Sequence, residues 1–433
     1  MRTETRQPTV HTLRRSLQAE LDTHWLPDPW AWRDLGDVDW SESELTASNT
    51  ELTVPFLGTR TRVVPILTDS AQLSLHSLVI SSVLRSSQAL TSDVFAYRVA
   101  ADGVIEHYRT ALQRRVARDN ELAANFALVV RTDVKRFFPS VRIDTLRAAS
   151  NVEWDKRLVA LLEEIQAHYG YVLPEGYAAA RTLANYCLLP VDAAAAPHPM
   201  TRWVDDYKVF VNSQSEADDV VGKMRASAWD IGLDLSADKT LTCLSSEADL
   251  YSPSVTDHDG YVSDDAAGNE RLFRYELRLA AEARSTRSVV ALMQNAVPPT
   301  GLPRFAWLAA TCSDDPAVIA RVREEMVRED EFMAWRLARL VPALWYAPQP
   351  VVQSISSLVT QGFERFPAIR PALLRPLAKH CPELTLRLLD SGVSLPDRTT
   401  ELARCEAKAS LGHPVVGWAR AAIAAGPPVK TYL

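Results

Sequence analysis

The sequence predicts an α+β fold followed by an all-α C-terminal region, and three observations indicate this division. Between residues 119 and 250, the candidate elements are a strand at 127–132, a helix over roughly 143–169, a helix through Asn185, a hairpin around Asp205-Asp206, a helix from about Ser215 to Ile231 and a strand near 240–244. This order is typical of helices on one face of an antiparallel sheet. Outside this region, residues 69–87 predict a long helix, and Asp315-Pro316 predicts the start of another, as N-cap and N1. Residues 251–270 are rich in Asp, Ser and Gly and predict a linker. From about residue 270 onward, strand patterns nearly disappear and prolines separate successive helix-like segments.

Composition limits the classes of protein that the chain can represent. Its 433 residues are 47% hydrophobic and 23% charged, which is enough material for two domains with cores. A net charge of −7 disfavours a surface that is basic throughout and grips a long duplex. The five cysteines are scattered and form no CxxC, so we expect neither a disulfide framework nor a zinc site. With no signal-peptide pattern and no long apolar run, the sequence predicts a cytoplasmic protein without a membrane partner.

Two adjacent carboxylates lie at the centre of the predicted α+β region. Asp205 and Asp206 separate two short runs that alternate apolar and polar residues, a pattern that predicts a tight hairpin with one buried face. Asp133 ends another apolar run, Ala127–Thr132. An Asp-Asp pair alone is usually a solvated turn or a helix N-cap. Three acids at the ends of neighbouring strands, however, can hold two divalent cations about 3.5–4 Å apart for phosphoryl transfer.

Five segments resemble the motifs of a reverse transcriptase, in the order found in that family. They are the fingers motifs at Arg60–Pro65 with Asp69 and at Tyr97-Arg98; motif A at Asp133 with Phe137-Phe138; motif B at Leu173–Gly176 and Arg181–Asn185; motif C at Trp203-Val204-Asp205-Asp206; and motif D at Gly232-Leu233 and Asp238–Thr240. The order of the five segments, rather than any single match, carries the resemblance.

The resemblance implies a fingers–palm fold and a division of the chain. The expected parts are an N-terminal extension at 1–50, fingers at 51–118, the catalytic palm at 119–250, a linker at 251–270 and a HEAT-like α-solenoid at 271–433. The extension begins with a candidate amphipathic helix, Val10–Leu21, and continues through a tryptophan-rich stretch. Those tryptophans either pack the extension onto the next domain or stack on bases.

In the family, the three acids hold the catalytic metal ions. The resemblance therefore implies that Asp133, Asp205 and Asp206, with the backbone carbonyl of Val134, bind Mg²⁺, with Mn²⁺ as an alternative. Lys239 resembles the motif D lysine that protonates or neutralises the leaving pyrophosphate.

Further residues are expected to contact the incoming deoxynucleotide. A fingers arginine reaches the triphosphate in the family, and Arg60 has the better spacing for this role, with Arg62 second. Phe138 lies where the family places an aromatic steric gate against a 2′-hydroxyl, although a core phenylalanine is the alternative. The matching positions of motifs B and C complete the nucleotide site: Glu175, Gly176, Arg181 and Val204.

Three residues depart from the family pattern. Trp203 replaces a tyrosine, Glu175 replaces a glutamine whose position lies near the nucleotide, and Ala180 replaces a serine. A carboxylate at position 175 repels a triphosphate unless it is paired or faces away. These changes weaken the expectation of templated, accurate synthesis more than the expectation of metal binding.

The divergent motifs and the helical C-terminal half most resemble the abortive-infection-type defence reverse transcriptases of bacteria. That resemblance implies a homo-oligomeric DNA polymerase that acts in antiphage defence, uses dNTPs and makes a DNA product, in some members without a template and primed on a protein hydroxyl. One alternative is a templated enzyme of the retron or group II intron kind, with an RNA template or a non-coding RNA as partner. Another is a catalytically silent scaffold that binds nucleic acid or a phage protein.

Overall fold

The computed structural model describes residues 50–246, apart from 57–59 and 107, and the ranges 332–343, 349–366, 369–390 and 398–417, with isolated residues elsewhere. Of the predicted N-terminal helix, only Thr12, Leu13 and Ser16 are described, and all three are helical. The tryptophan-rich stretch, the predicted linker and the helix expected to begin at Asp315-Pro316 lie outside the described residues.

The chain divides into two compact units. The first comprises residues 1–20, 39–47 and 70–255, and the second comprises residues 21–38, 48–69 and 256–433. The described elements of residues 50–246 are β1 (Thr50–Phe56), β2 (Arg60–Ile66), α1 (Asp69–Arg85), α2 (Tyr108–Ala123), β3 (Leu128–Asp133), α3 (Phe137–Ser140), α4 (Ile143–Ala149), α5 (Lys156–Tyr169), α6 (Ala178–Cys187), α7 (Leu189–Ala195), β4 (Met200–Trp203), β5 (Asp206–Val211), α8 (Gln214–Asp230), a 3₁₀ turn (Ala237–Lys239) and β6 (Leu241–Leu244).

A four-stranded antiparallel sheet of order β4-β5-β3-β6 forms the centre of the first unit. The sheet has helices on both faces, so the predicted one-sided cover is wrong. On one face, Leu122 of α2 packs with Val129 and Phe210. On the other face, the Tyr207 hydroxyl donates a hydrogen bond to Asp192 of α7, and α8 packs against α7 and contacts β3 and β5. The mixed α+β character of the chain follows as predicted.

Strand β5 differs from its predicted pattern for the same reason. Its residues Tyr207–Val211 are all buried, including the charged Lys208, although the alternating pattern predicts one wet face. The ammonium of Lys208 donates to Asp119 of α2 at 2.6 Å, and the hydroxyl of Thr201 donates to the same carboxylate at 2.5 Å. The charge is therefore neutralised inside the protein rather than solvated.

The single helix predicted over residues 143–169 is also wrong, because α4 and α5 are separated by residues 150–155. The Asp155 side chain caps α5 by accepting from the amide of Arg157, and its own amide donates to the hydroxyl of Ser82 in α1 at 3.1 Å. The Asn151 amide donates to the Gln88 side chain at 2.8 Å. These long-range bonds take up the backbone groups that a continuous helix would pair internally.

In the second unit, β1 and β2 form an antiparallel hairpin. The described C-terminal elements are α9 (Met333–Ala343), α10 (Gln349–Arg365), α11 (Arg370–His380), α12 (Pro382–Asp390) and α13 (Arg398–Ser410). Pro350, Pro371 and Pro382 lie in first turns, where proline costs no hydrogen bond, whereas Pro342 is the penultimate residue of α9. No described helix is long and apolar enough to cross a membrane.

Candidate active site

Three carboxylates converge at one end of the central sheet. Asp133 ends β3 and is the direct antiparallel partner of Asp206, the first residue of β5. Asp205 belongs to the two-residue turn, Val204-Asp205, that joins β4 to β5. Because strand ends meet at one edge of the sheet, residues more than seventy positions apart in sequence become neighbours. The predicted convergence of the three acids is present in the structure.

The turn that carries Asp205 has a left-handed backbone conformation. Val204 has a φ of +54°, a region that β-branched residues rarely adopt, and its side chain is nonetheless buried. The Val204 carbonyl accepts a hydrogen bond at 2.8 Å from the guanidinium of Arg202. Surrounding packing and this bond therefore fix a strained turn at the tip of the hairpin.

Arg202 is the centre of a buried polar network beneath the turn. Its guanidinium donates twice to the Asp192 carboxylate of α7, at 2.7 Å each, and once to the Asn185 side chain at 2.9 Å. The hydroxyl of Tyr207 donates to the same Asp192 carboxylate at 2.9 Å. A fully buried charge pair with its lone pairs satisfied is rigid, so this network holds the position of the acid-bearing turn.

The electrostatics of the acids indicate that they repel one another. Loss of surrounding water raises the pKa of Asp205 to about 7, and the charges of Asp206 and Asp133 add to that rise. Desolvation also raises the pKa of Asp206, against an opposing effect of the Arg115 cation. Asp206 keeps an exposed surface, so solvent moderates the repulsion there. A positive charge placed among these groups would favour their ionised forms.

The two carboxylate oxygens of Asp133 differ in their hydrogen bonding. The residue is 6% exposed; Oδ2 accepts from the ammonium of Lys239, and the buried Oδ1 has no hydrogen-bond partner among the described residues. An orphaned buried carboxylate oxygen is costly, which fits a group that accepts an external cation. The donor set of three carboxylates also fits Mg²⁺ or Mn²⁺ in kind.

The side chains as they stand do not form a coordination shell. Within the part of the chain that the structure describes, no group of three or more His, Cys, Asp or Glu residues is arranged to hold a metal ion. The cation next to Asp133 is the Lys239 ammonium. Metal binding at these acids therefore requires the Lys239–Asp133 pair to open and the carboxylates to reorient.

The residues that follow Asp133 lie beside the acids. Val134 is buried, and its backbone pairs with that of Leu235 in an isolated bridge, so its main chain is anchored next to Asp133. Phe137 is buried, whereas the adjacent Phe138 is only half-buried. The two rings pack edge to face at 5.5 Å between centroids. Phe138 therefore retains the accessible ring that the predicted gate requires.

The predicted motif B residues form a turn and the first part of α6. Gly176 has a φ of +103°, which favours glycine, and Glu175 beside it is half-buried. The Arg181 guanidinium lies 4.8 Å from the ring centre of Tyr97 and donates to its hydroxyl. Arg181 thus contacts the segment that carries the second fingers motif.

Arg60 and Arg62 lie on β2, which belongs to the second unit, whereas the three acids belong to the first. The site also includes residues that the sequence does not single out. Besides Arg202 and Asp192, Arg115 of α2 has its guanidinium 5.9 Å from the ring centre of Trp203 and interacts with Asp206. The available signal for Arg202 is a charged residue within an apolar strand.

Comparison of the sequence with protein-family models and with curated proteins identifies no relative. No protein-family model matches the chain, and no curated protein is significantly similar to it in sequence. Functional inference therefore depends on the sequence motifs and on the site geometry described above.

Proposed function

We propose that this chain is a reverse-transcriptase-type nucleotidyltransferase that joins deoxynucleotides into DNA. The observation that carries the proposal is the convergence of Asp133, Asp205 and Asp206 at one sheet edge, with Lys239 beside them. Two Mg²⁺ ions held by such acids would supply an activated primer hydroxyl and a charge partner for the leaving pyrophosphate.

Each residue has a distinct task in this proposal. Asp133 and Asp205 would hold the cations, with Asp206 as a supporting ligand. The Lys239 ammonium would protonate or neutralise the leaving pyrophosphate. The half-buried ring of Phe138 lies under the sugar and excludes a 2′-hydroxyl.

The raised pKa values of the acids favour a cation-binding site rather than a solvated turn. Desolvation of the turn, with the added charges of Asp206 and Asp133, raises the pKa of Asp205 to about 7, whereas a carboxylate in a solvated turn stays close to its ordinary value. The buried Arg202–Asp192 pair and the strained Val204 backbone add a structural cost to the same tip. Strain and charge repulsion at one place are typical of functional sites.

The finer features remain part of the proposal and derive from the sequence resemblance. They are a HEAT-like arrangement of the C-terminal helices, a homo-oligomer, a cytoplasmic location and a role in antiphage defence. Synthesis without a template and primed on a protein hydroxyl is the preferred form, and RNA-templated synthesis of the retron or group II intron kind is the alternative.

One observation favours a silent scaffold as the competing function. Lys239 already neutralises Asp133, and no described acid group is arranged as a metal shell. A lysine can replace a lost metal ion in a protein that only binds a partner. The two functions differ in whether a divalent cation displaces Lys239 from Asp133.

The test is nucleotide incorporation by the full chain. Purified protein receives Mg²⁺ and labelled deoxynucleotides, with and without RNA and primer, and products are resolved before and after protease treatment. Asp205→Ala is the inactive variant. Asp144→Ala, which removes an exposed carboxylate from the first turn of α4, is the matched control.

Three results separate the hypotheses. Label that shifts on proteolysis, requires no template and disappears only in Asp205→Ala supports untemplated, protein-primed synthesis. Label that requires RNA and primer supports the templated alternative. Absence of label under both conditions, together with no change in melting temperature on adding Mg²⁺, would reject the polymerase in favour of the scaffold.

A further inference from the structure

A cavity of about 430 Å³ lies beside the acid cluster but uses different side chains. Its lining comes from two segments, residues 135–140 after β3 and residues 229–234 at the end of α8: Lys135, Arg136, Ser140, Trp229, Gly232, Leu233 and Asp234. Its volume is within the range of about 300–1,000 Å³ that is typical of small-ligand sites. Gly232 and Leu233 belong to the predicted motif D, but none of the three acids, Lys239 or Phe138 lines the cavity.

Trp229 provides an accessible aromatic surface in this cavity. It lies in the last turn of α8 and is 61% exposed, although a tryptophan usually buries most of its ring. Its indole N–H donates to the Asp234 carboxylate at 2.9 Å, which holds the ring in one orientation. A large ring that is exposed and oriented at the edge of a cavity can stack on a planar ligand.

The segment after β3 contributes two positive charges to the cavity. Lys135 and Arg136 are exposed, and neither side chain forms an ion pair with a described residue. Arg136 has a φ of +46°, so the backbone after β3 turns sharply at this point. An ammonium and a guanidinium on one segment suit phosphate oxygens, which a guanidinium can bind with two parallel hydrogen bonds.

Backbone hydrogen bonds join the two segments that line the cavity. The Lys135 amide donates to the Asp234 carbonyl at 2.8 Å, and the Ser236 amide donates to the Asp133 carbonyl at 2.8 Å. Gly232 has a φ of +75°, which allows α8 to end and the chain to return towards β3. The cavity is therefore preformed, and the chain that frames it continues into the 3₁₀ turn that ends with Lys239.

Asp234 restricts which anions the cavity accepts. Its carboxylate lines the same cavity, so a compact, highly charged anion encounters repulsion as well as attraction. A ligand with a planar base at Trp229 and a phosphate towards Lys135 and Arg136 separates these two interactions in space. Two cations by themselves would bind any anion. Two cations in the same cavity as an accessible aromatic ring favour a ligand in which a base is joined to a phosphate.

From this geometry we propose a second nucleotide-binding site, in which Trp229 stacks on a base and Lys135 with Arg136 binds the attached phosphate. The base and phosphate come either from a free nucleoside phosphate or from one nucleotide of a single strand. The site is separate from the proposed polymerase centre and binds without a divalent metal, because all its contacts are made by side chains of this chain.

The experiment measures binding by calorimetry in EDTA, with the full chain carrying Asp205→Asn so that no turnover occurs. The probes are AMP, a ten-nucleotide oligothymidylate, adenosine and inorganic phosphate. We expect AMP or the oligonucleotide to bind at least about tenfold more tightly than adenosine or phosphate. The two phosphate-bearing probes distinguish the sources: equal affinities indicate a free nucleotide, and a tighter oligonucleotide indicates a strand.

Substitutions then test the two segments separately. Trp229→Ala is expected to weaken binding about tenfold, and Trp229→Phe to retain most of it, since stacking is worth about 1–3 kcal/mol per base. Lys135→Gln with Arg136→Gln is expected to weaken binding at least about tenfold and to flatten its salt dependence. The control pair Lys156→Gln with Arg157→Gln removes two exposed charges from the start of α5 and is expected to change nothing.

Two results would overturn the site: unchanged affinity in Trp229→Ala, or inorganic phosphate that binds as tightly as AMP. Melting temperatures of all variants identify any that fail to fold, and Trp229→Phe covers that case for the aromatic ring. Nucleotide incorporation by the wild-type chain is measured independently. Binding that depends on Trp229 in a chain without polymerase activity would support this site while rejecting the proposed function.

Discussion

Arg202 and Asp192 form a bidentate ion pair with both side chains almost completely buried, directly beneath the turn that presents Asp205. The pair joins β4 to α7, and Arg202 also donates to the Val204 carbonyl. The position of a candidate catalytic carboxylate therefore depends on a salt bridge that is inaccessible to solvent. A buried pair of this kind is costly to break because the remaining charge has no water to replace its partner.

Removing Arg202 is expected to destabilise the protein strongly. Arg202→Met leaves the Asp192 carboxylate buried without its cation, which costs about 3–5 kcal/mol of unfolding free energy. Arg147→Met, which breaks the exposed pair with Glu163 at 2.9 Å, is the control and is expected to cost less than about 1 kcal/mol. Urea denaturation measures both. Equal stabilities of the two variants would contradict the structural role of the buried pair.

Stability is expected to fall as pH rises from about 4 to 7, because of Asp205. Its pKa of about 7 in the folded chain exceeds its ordinary value of 3.8, so the folded state retains a proton that the unfolded chain has released. The ionised, repelled carboxylate costs most above pH 7. Asp205→Asn is therefore expected to be more stable than wild type by about 1–2 kcal/mol at pH 8, after allowance for partial solvation, and similar near pH 4.

Urea titrations at pH 4.5 and pH 8 in EDTA measure this difference, with Asp144→Asn as an exposed control. Replacing EDTA by Mg²⁺ is expected to stabilise wild type at pH 8 and to leave Asp205→Asn unchanged, because cation binding stabilises the ionised site. A wild-type chain whose stability rises between pH 4.5 and pH 8 in EDTA, relative to Asp205→Asn, would contradict the prediction.

Lys239 is expected to affect metal affinity and turnover in opposite directions. Lys239→Ala removes the cation that pairs with Asp133, so Mn²⁺ is expected to bind about fivefold more tightly, equivalent to about 1 kcal/mol. Nucleotide incorporation is expected to fall at least about tenfold, because the proton donor for the leaving phosphate is lost.

Mn²⁺ binding followed by electron paramagnetic resonance measures the first effect. Lys239→Arg preserves the charge and is the control, for which we expect affinity near that of wild type. Weaker Mn²⁺ binding in Lys239→Ala than in wild type would show that the lysine supports the cation site instead of competing for it.

Phe138 is expected to determine the choice of sugar. Phe138→Ala removes the half-buried ring five positions after Asp133, so the ratio of ribonucleotide to deoxynucleotide incorporation is expected to rise at least about tenfold. Phe137→Leu changes the neighbouring buried ring and is expected to lower stability without changing this ratio. Competition between labelled dNTPs and NTPs measures the ratio. An unchanged ratio in Phe138→Ala would assign this ring to packing alone.

The sequence pattern predicts much of the first unit because the responsible interactions are local. Helix α1 ends within two residues of its predicted end, and α8 lies within one residue of its predicted bounds. Apolar periodicity and capping residues act within one or two turns of a helix. The hairpin also follows from two short apolar runs on either side of Asp205-Asp206, although the pattern predicts both acids at the tip and the structure has Val204 and Asp205 in the turn, with Asp206 on β5.

The two predictions that were wrong, the continuous helix and the exposed face of the sheet, failed because of long-range interactions. The break between α4 and α5 depends on hydrogen bonds to Ser82 and Gln88, which lie more than sixty positions away. The second covered face of the sheet depends on Asp119, which neutralises Lys208 from eighty-nine positions upstream. No window of the sequence contains both partners, so periodicity alone predicts a continuous helix and a wet face.

By itself, the sequence determined that Asp133 ends a strand and that Asp205 and Asp206 lie at a hairpin, because side-chain patterning and turn chemistry are encoded within a few residues. Only the tertiary structure decided that Lys239 pairs with Asp133, that Arg202 forms a buried ion pair with Asp192 and that Trp229, Lys135 and Arg136 line one cavity. Charge neutralisation and cavity shape depend on which groups meet after the chain has packed. Which side chains come into contact depends on the packing of all the elements together rather than on any one segment.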